Sequence, residues 1–255
     1  MTSAGLIASL VSACAFAGGL AGLALRRVLP AHHLAKETAD VVRLGAGMLS
    51  VLAALVLGLM IATARDALDG ADRLVRGFSA ELVRTDQTLA ACGPEAAPVR
   101  GPLRRYAGAV LERGWGGERS DRDLLDPGLP AGATLERARA AVLALDPADP
   151  ARRWLRDQAL AGGDAPLRAR WELLERREPA IHPVFLAVLT AWIALIFASF
   201  GLNAPRNATV VCTFAVCALA IGGAVFLVLE MEGPFDGVIR VAARPMEVAL
   251  DRMER

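Results

Sequence analysis

The sequence predicts an all-α membrane protein in which four transmembrane helices form two hairpins flanking a helical extramembrane domain. Three observations lead there. The 255 residues are 55% hydrophobic yet 22% charged, and the two kinds are segregated along the chain, whereas a soluble domain interleaves them at helical or strand period. Four apolar stretches contain no Asp, Glu, Lys or Arg, and each is near the 20 or so residues that cross a hydrocarbon core of about 30 Å. Between the second and third stretch, apolar residues step by three and four with no alternating strand pattern.

The first hairpin occupies residues 1–64, with spans Gly5–Leu25 and Leu44–Ala64 bounded by Arg26-Arg27, Arg43 and Arg65. A cleaved signal fits the first span poorly. It has no basic leader and runs on to Leu25, although Val11-Ser12-Ala13-Cys14 has the look of a lipoprotein cleavage box. The second hairpin, residues 181–229, carries spans Val184–Leu202 and Thr209–Leu229 between His182-Pro183, Pro205-Arg206 and Glu230. Small residues recur four apart: Gly18 and Gly22, Ala54, Gly58 and Ala62, Ala187 and Ala191, Ala218 and Gly222. In lipid such spacing lets helix backbones approach closely. Ser199 and Asn203, one turn apart, are expected to hydrogen-bond between helices.

Residues 65–180 form the predicted extramembrane domain. Its first helix continues the second span, because Leu68, Ala71, Val75, Phe78, Leu82, Thr85 and Leu89 make a heptad-like seam. That helix ends at Cys92-Gly93-Pro94, where glycine then proline stop it. From Leu44 to Ala91 it would be about 70 Å long. Shorter amphipathic helices are expected over Pro98–Arg113, Thr134–Leu145, Pro150–Leu160 and Pro166–Arg177, the last with Leu167, Trp171 and Leu174 on one stripe. Gly114–Gly132 reads as loop. The tail, residues 230–255, places Phe235, Val238, Ile239, Ala242, Met246, Ala249 and Met253 on one face, interrupted at Pro245.

Net charge is +1, which gives no basic excess for nucleic acid. Cys14, Cys92, Cys212 and Cys217 show no CxxC, so neither a disulfide framework nor a zinc site follows, and they read as packing residues. No Ser–His–acid order, phosphate loop or paired-carboxylate arrangement stands out, and no cofactor is implied. Catalysis is therefore the least supported class. The absence of intramembrane charge also argues against a proton-coupled transporter.

Three stretches carry a family likeness. They are Arg26-Arg27-Val28-Leu29-Pro30-Ala31-His32-His33-Leu34 through Glu37 to Asp40-Val41-Val42-Arg43-Leu44, then Phe197-Ala198-Ser199-Phe200-Gly201-Leu202-Asn203-Ala204-Pro205-Arg206-Asn207-Ala208-Thr209, and finally Leu229-Glu230-Met231-Glu232-Gly233-Pro234-Phe235-Asp236-Gly237. With the hairpin–domain–hairpin order they resemble a bacterial multi-pass membrane family of unknown function, often labelled bestrophin-like. The resemblance implies a relationship to pentameric anion channels and transfers no pore residue.

Candidate sites follow from the residues. In the second span Gly47, Ser50, Ala54, Leu57, Ile61 and Ala64 continue the stepping of the seam. Around a symmetry axis, Ser50 and Ala54 would widen a path and Leu57 and Ile61 would narrow it, a ring able to gate by dewetting. Glu230, Glu232 and Asp236 follow the fourth span and read either as an acidic mouth attracting cations or as a solvated boundary. His33 and Glu37 sit four apart, as metal ligands on one helix face would, or else form an interfacial loop whose acid favours the dipole of the next helix.

The functional expectation is a homo-oligomeric ion channel passing inorganic ions, with the seam helix toward the axis. The competing reading is a membrane-anchored scaffold or sensor that conducts nothing. Lys36 is the only lysine, which looks like codon bias in a GC-rich bacterial genome; the expected location is a bacterial inner membrane, crossed several times. Arg26, Arg27, Lys36, Arg43 and Arg206 load the two short loops, so the positive-inside rule puts those loops in the cytoplasm and the domain outside. Arginines flanking the domain, and a bestrophin-like organisation, favour the opposite orientation.

Overall fold

The computed structural model describes residues 3–30, 35–115, 139–145, 149–175, 183–235 and 237–254; for residues 3, 113 and 163–175 it describes the backbone only. The described residues are helix, turn and coil, with no strand among them. In order, α1 is Ser3–Leu25, α2 Lys36–Ala91, α3 Ala97–Trp115, α4 Pro150–Glu175, α5 Pro183–Asn203, α6 Ala208–Glu232 and α7 Arg244–Glu254, with a 3₁₀ turn at Pro94–Ala96. Four of them, α1, α2, α5 and α6, are long and apolar enough to cross a membrane. The chain divides into two compact units, Met1–Ala67 with Pro179–Glu232, and Leu68–Glu178 with Gly233–Arg255.

In the first unit α1 packs against both α5 and α6. Hydrophobicity cannot choose which face turns inward, because lipid is as apolar as the core. Size chooses instead. Gly18 and Gly22 lie against the Ala194 and Ala198 carbonyls of α5, Gly201 of α5 lies against the Gly19 carbonyl, and Gly222 of α6 lies against Ser12. A Cβ at any of these four positions would overlap its neighbour. The larger side chains fill what remains: Leu189, Ile193, Ile196, Phe197, Phe214 and Val228 are buried, and the rings of Phe197 and Phe214 meet at 5.9 Å. Leu195, Val216 and Leu219, equally apolar, stay more than 60% exposed, as lipid-facing residues do.

Hydroxyls in these helices satisfy themselves locally. Ser50, Thr190 and Thr213 each donate to the carbonyl four residues back. The interhelical role expected of Ser199 and Asn203 is not what forms. Asn203 Nδ2 donates to the Ser199 carbonyl of its own helix at 3.0 Å, and Ser199 Oγ is buried without a partner.

The second unit is organised by the far half of α2. Its seam residues Ala71, Val75, Phe78, Leu82 and Leu89 are buried against Val99, Leu103, Tyr106 and Ala107 of α3, with Met246 and Met253 of α7 in the same cluster. Phe78 and Tyr106 meet edge to face at 6.3 Å. Trp115 donates to the Val241 carbonyl at 2.8 Å and stacks edge-on with Phe235. The seam is thus covered by the chain itself, which removes it as the surface for a second copy. Helix α2 ends where the sequence says: Gly93 takes φ +98°, a conformation only glycine adopts freely, and Pro94 opens the 3₁₀ turn.

A buried carboxylate crosses this core. Asp86, 2% exposed at its side chain, accepts from Arg100 Nε at 2.9 Å and Nη2 at 2.7 Å, with Arg104 at 3.6 Å. The bidentate contact raises the Arg100 guanidinium above its ordinary value, against a smaller opposing cost of burial.

Three expected boundaries change. Helix α2 begins at Lys36, not Leu44, its first two turns being largely polar. Pro150–Glu175 is one helix, not two, running through Gly162 and Pro166; an interior proline removes one hydrogen bond and crowds one carbonyl, which a helix survives when its ends are held. The tail is helical only from Arg244, because Gly237 takes φ +87° and Pro245 sits in the first helical turn, where its fixed φ suits it. The Thr134–Leu145 segment is described only from residue 139, the Gly114–Gly132 loop only to residue 115, and the Leu167, Trp171 and Leu174 stripe lies outside the described side chains.

Candidate functional site

The candidate conduit surface is the membrane half of α2. At about 100° per residue, Ser50, Ala54, Leu57 and Ile61 share an arc of roughly 60°. The buried face, Ala46, Ala53, Met60 and Ala64, is centred roughly 65° away on the same projection. The four candidates therefore straddle an edge. Ser50 and Leu57 are half-buried, Leu57 touching the core of the first unit, whereas Ala54 and Ile61 are exposed. Beyond that edge come Gly47 and Gly58, each with nothing within 4 Å of where a Cβ would stand. Further round lie the bulky Val51, Leu55, Met48 and Leu59, each 66–69% exposed. So α2 presents two outward faces, a narrow one of small residues and a broad one of large residues.

The other candidates are scattered. Glu230 is 3% exposed, at the end of α6, while Glu232 is half-buried and, two residues on, points away from it. Asp236 lies outside the described residues. A carboxylate so enclosed faces protein, whereas a ring attracting ions from solution needs its oxygens at the water. Glu37 is exposed in the first turn of α2, the position that favours a helix dipole, and His33 lies outside the described residues. No metal-ligating group of three is found among the described residues.

A feature that sequence reading misses lies where α1 and α5 end. Arg26 Nη1 donates to the Ala204 carbonyl and Arg206 Nη2 to the Leu23 carbonyl, both at 2.6 Å. Each arginine caps the end of the other's helix, a cation on a negative dipole terminus. Asn207 caps α6 by accepting from the Val210 amide at 2.9 Å. Desolvation first, and then the nearby positive charges of Arg27 and Arg26, hold the Arg206 guanidinium below its ordinary value. The loaded loops signalled orientation in the sequence, but nothing in it announced reciprocal capping.

The second unit has its own concavity, a groove of about 470 Å³ between α2 and α7, flanked by Arg76, Arg244 and Arg252 over a floor that includes Ala80, Val83 and Val248. Arg76 is already held by Asp72 at 2.6 Å.

Comparison with known proteins decides the kinship. The Bestrophin-like domain matches over residues 13–246, nearly the full length. The chain belongs to the bestrophin-like family. No curated protein sequence matches it. Crystal structures of a bacterial bestrophin homolog from Klebsiella pneumoniae share its fold. One point variant superposes with a TM-score of 0.70 at 12% identity over 100% of both chains. Another gives 0.68 at 12% identity over 96% of this chain and 97% of that one. The structure phased on zinc gives 0.63 at 13% identity over 93% and 95%. At these identities the likeness is one of fold. A bestrophin-like chain with four such helices is a multi-pass membrane protein.

Proposed function

We propose that this bestrophin-like protein is the subunit of a homo-oligomeric channel for inorganic ions in a bacterial inner membrane. Its conduit is lined by α2 at Ser50, Ala54, Leu57 and Ile61. One observation carries the reading. Gly18, Gly19, Gly22, Gly201 and Gly222 of α1, α5 and α6 are filled by neighbouring helices, Gly223 alone of α6 standing open, but Gly47 and Gly58 lie open together beside the candidate strip of α2. A helix meant only for lipid gains nothing from such a strip, since glycine weakens a helix by about 1 kcal/mol relative to alanine. A helix that lines a path, or receives another subunit, needs the room. Because the seam beyond residue 68 is covered within the chain, subunits associate through the membrane half of α2.

Along the strip, Ser50 and Ala54 give the wider section and Leu57 and Ile61 the narrower. With no charged side chain at this depth, closure proceeds by dewetting between apolar rings. Glu232 and Asp236 furnish the acidic mouth, from which the buried Glu230 is withdrawn.

The test is ion flux from purified protein in liposomes. Wild type conducts, and Leu57→Ala and Ile61→Ala each raise the flux. No wild-type flux of either anions or cations favours the rival, a membrane-anchored scaffold or sensor. Flux indifferent to both substitutions removes this strip from the gate.

A further inference from the structure

The crossed caps at the ends of α1 and α5 leave most of their donors unused. A guanidinium carries five N–H groups, and Arg26 and Arg206 each spend one on a helix carbonyl. Among the described residues Arg27 spends none, and none of the three has a carboxylate within 4 Å. The three cations stand together where α1 ends at Leu25, α5 ends at Asn203 and α6 begins at Ala208, the level of a membrane boundary. The α6 amino terminus adds a positive dipole end. Beside them Leu25 is 51% and Val28 80% exposed, apolar surface within a turn of the charge.

We propose that Arg26, Arg27 and Arg206 bind the phosphodiester headgroup of an anionic phospholipid. Three like charges repel one another, and an anion between them converts that repulsion into attraction. The crossed caps fix two of the guanidiniums against backbone, so they meet the ligand with little further loss of side-chain freedom. The apolar neighbours select a phosphate that carries acyl chains over free phosphate, which would leave Leu25 and Val28 facing water. This site is independent of conduction and stands or falls apart from it.

Native mass spectrometry of the full-length protein, with phosphatidylglycerol and phosphatidylcholine in competition, tests it. Wild type retains phosphatidylglycerol in preference. Arg27→Gln, which breaks neither cap, lowers that preference roughly five-fold, the equivalent of one basic residue at a membrane surface. Arg27→Lys keeps it, and thermal melting confirms that the variants stay folded. Arg26→Gln and Arg206→Gln lose the preference and also melt earlier. Equal retention of both lipids by wild type overturns the proposal, as does a preference unchanged in Arg27→Gln. Displacement of phosphatidylglycerol by millimolar inorganic phosphate overturns the assignment to a lipid.

Discussion

Replacing Asp86 by alanine should cost the extramembrane unit about as much as truncating one of its large core side chains. The carboxylate is 2% exposed and receives two hydrogen bonds from Arg100, at 2.9 and 2.7 Å. Its removal leaves Arg100, 27% exposed, and Arg104, 31% exposed, without their shared anion. Breaking a buried pair by deleting one partner typically costs 3–5 kcal/mol. Partial access of water to both arginines places this case near the lower end, about 3 kcal/mol. At about 2–4 °C per kcal/mol for a unit of this size, the melting temperature falls by about 6–12 °C. Trp115, bonded to Val241 within the same unit, reports the transition by fluorescence once Trp154, Trp171 and Trp192 are changed to Phe. The double variant Asp86→Leu with Arg100→Met should recover most of the loss, because a buried pair replaced whole by apolar groups is often neutral. A shift below about 2 °C for Asp86→Ala, or a double variant as harmful as the two singles added, refutes the argument.

Other outcomes follow from the same structure. Gly22→Ala pushes a methyl into the Ala198 carbonyl and should destabilise the detergent-solubilised protein by about 1–3 kcal/mol in a thermal melt. Gly58→Ala meets nothing and should be neutral or up to about 1 kcal/mol stabilising in the same measurement. Cys92 is buried, and desolvation raises its thiol, only partly opposed by Arg152; less thiolate near neutral pH means alkylation by N-ethylmaleimide at least about ten-fold slower than for a free cysteine, read by peptide mass. A cysteine introduced at Gly117 should label from outside intact cells, as the arginine-loaded short loops require, and protection there reverses the orientation.

The spans were legible because lipid forbids charge, so segregation along the chain is itself the signal. The end of α2 was legible too, since Gly93-Pro94 is the first stop after Ala64, but its start was not: the helix begins at Lys36, ahead of the apolar run that opens at Leu44. What covered the seam was not. An apolar stripe from Leu68 to Leu89 fits a second copy as well as it fits α3 and α7, and only tertiary structure chooses. Within the membrane, Gly18 and Gly58 look alike in sequence, yet one is pressed against Ala194 and the other faces nothing. Spacing tells which helix faces are small but not which are occupied. Glu230, Glu232 and Asp236 formed a cluster in the sequence because they are near neighbours there, and the turn of α6 separates the first two. The arginine pair 26 and 206 illustrates the converse, since contacts across 178 and 183 residues leave no periodic trace.

That same separation sets an order of events during synthesis. At roughly 5–20 residues per second, some 9–36 s elapse between the emergence of Arg26 from the ribosome and that of Ala204, its carbonyl partner. Through that interval α1 has neither α5 nor α6 to fill the grooves at Gly18, Gly19 and Gly22. The packing of α1 is thus completed only after the second pair of spans has emerged. A chain halted before the second pair of spans leaves the glycine row of α1 without the helices that fill it.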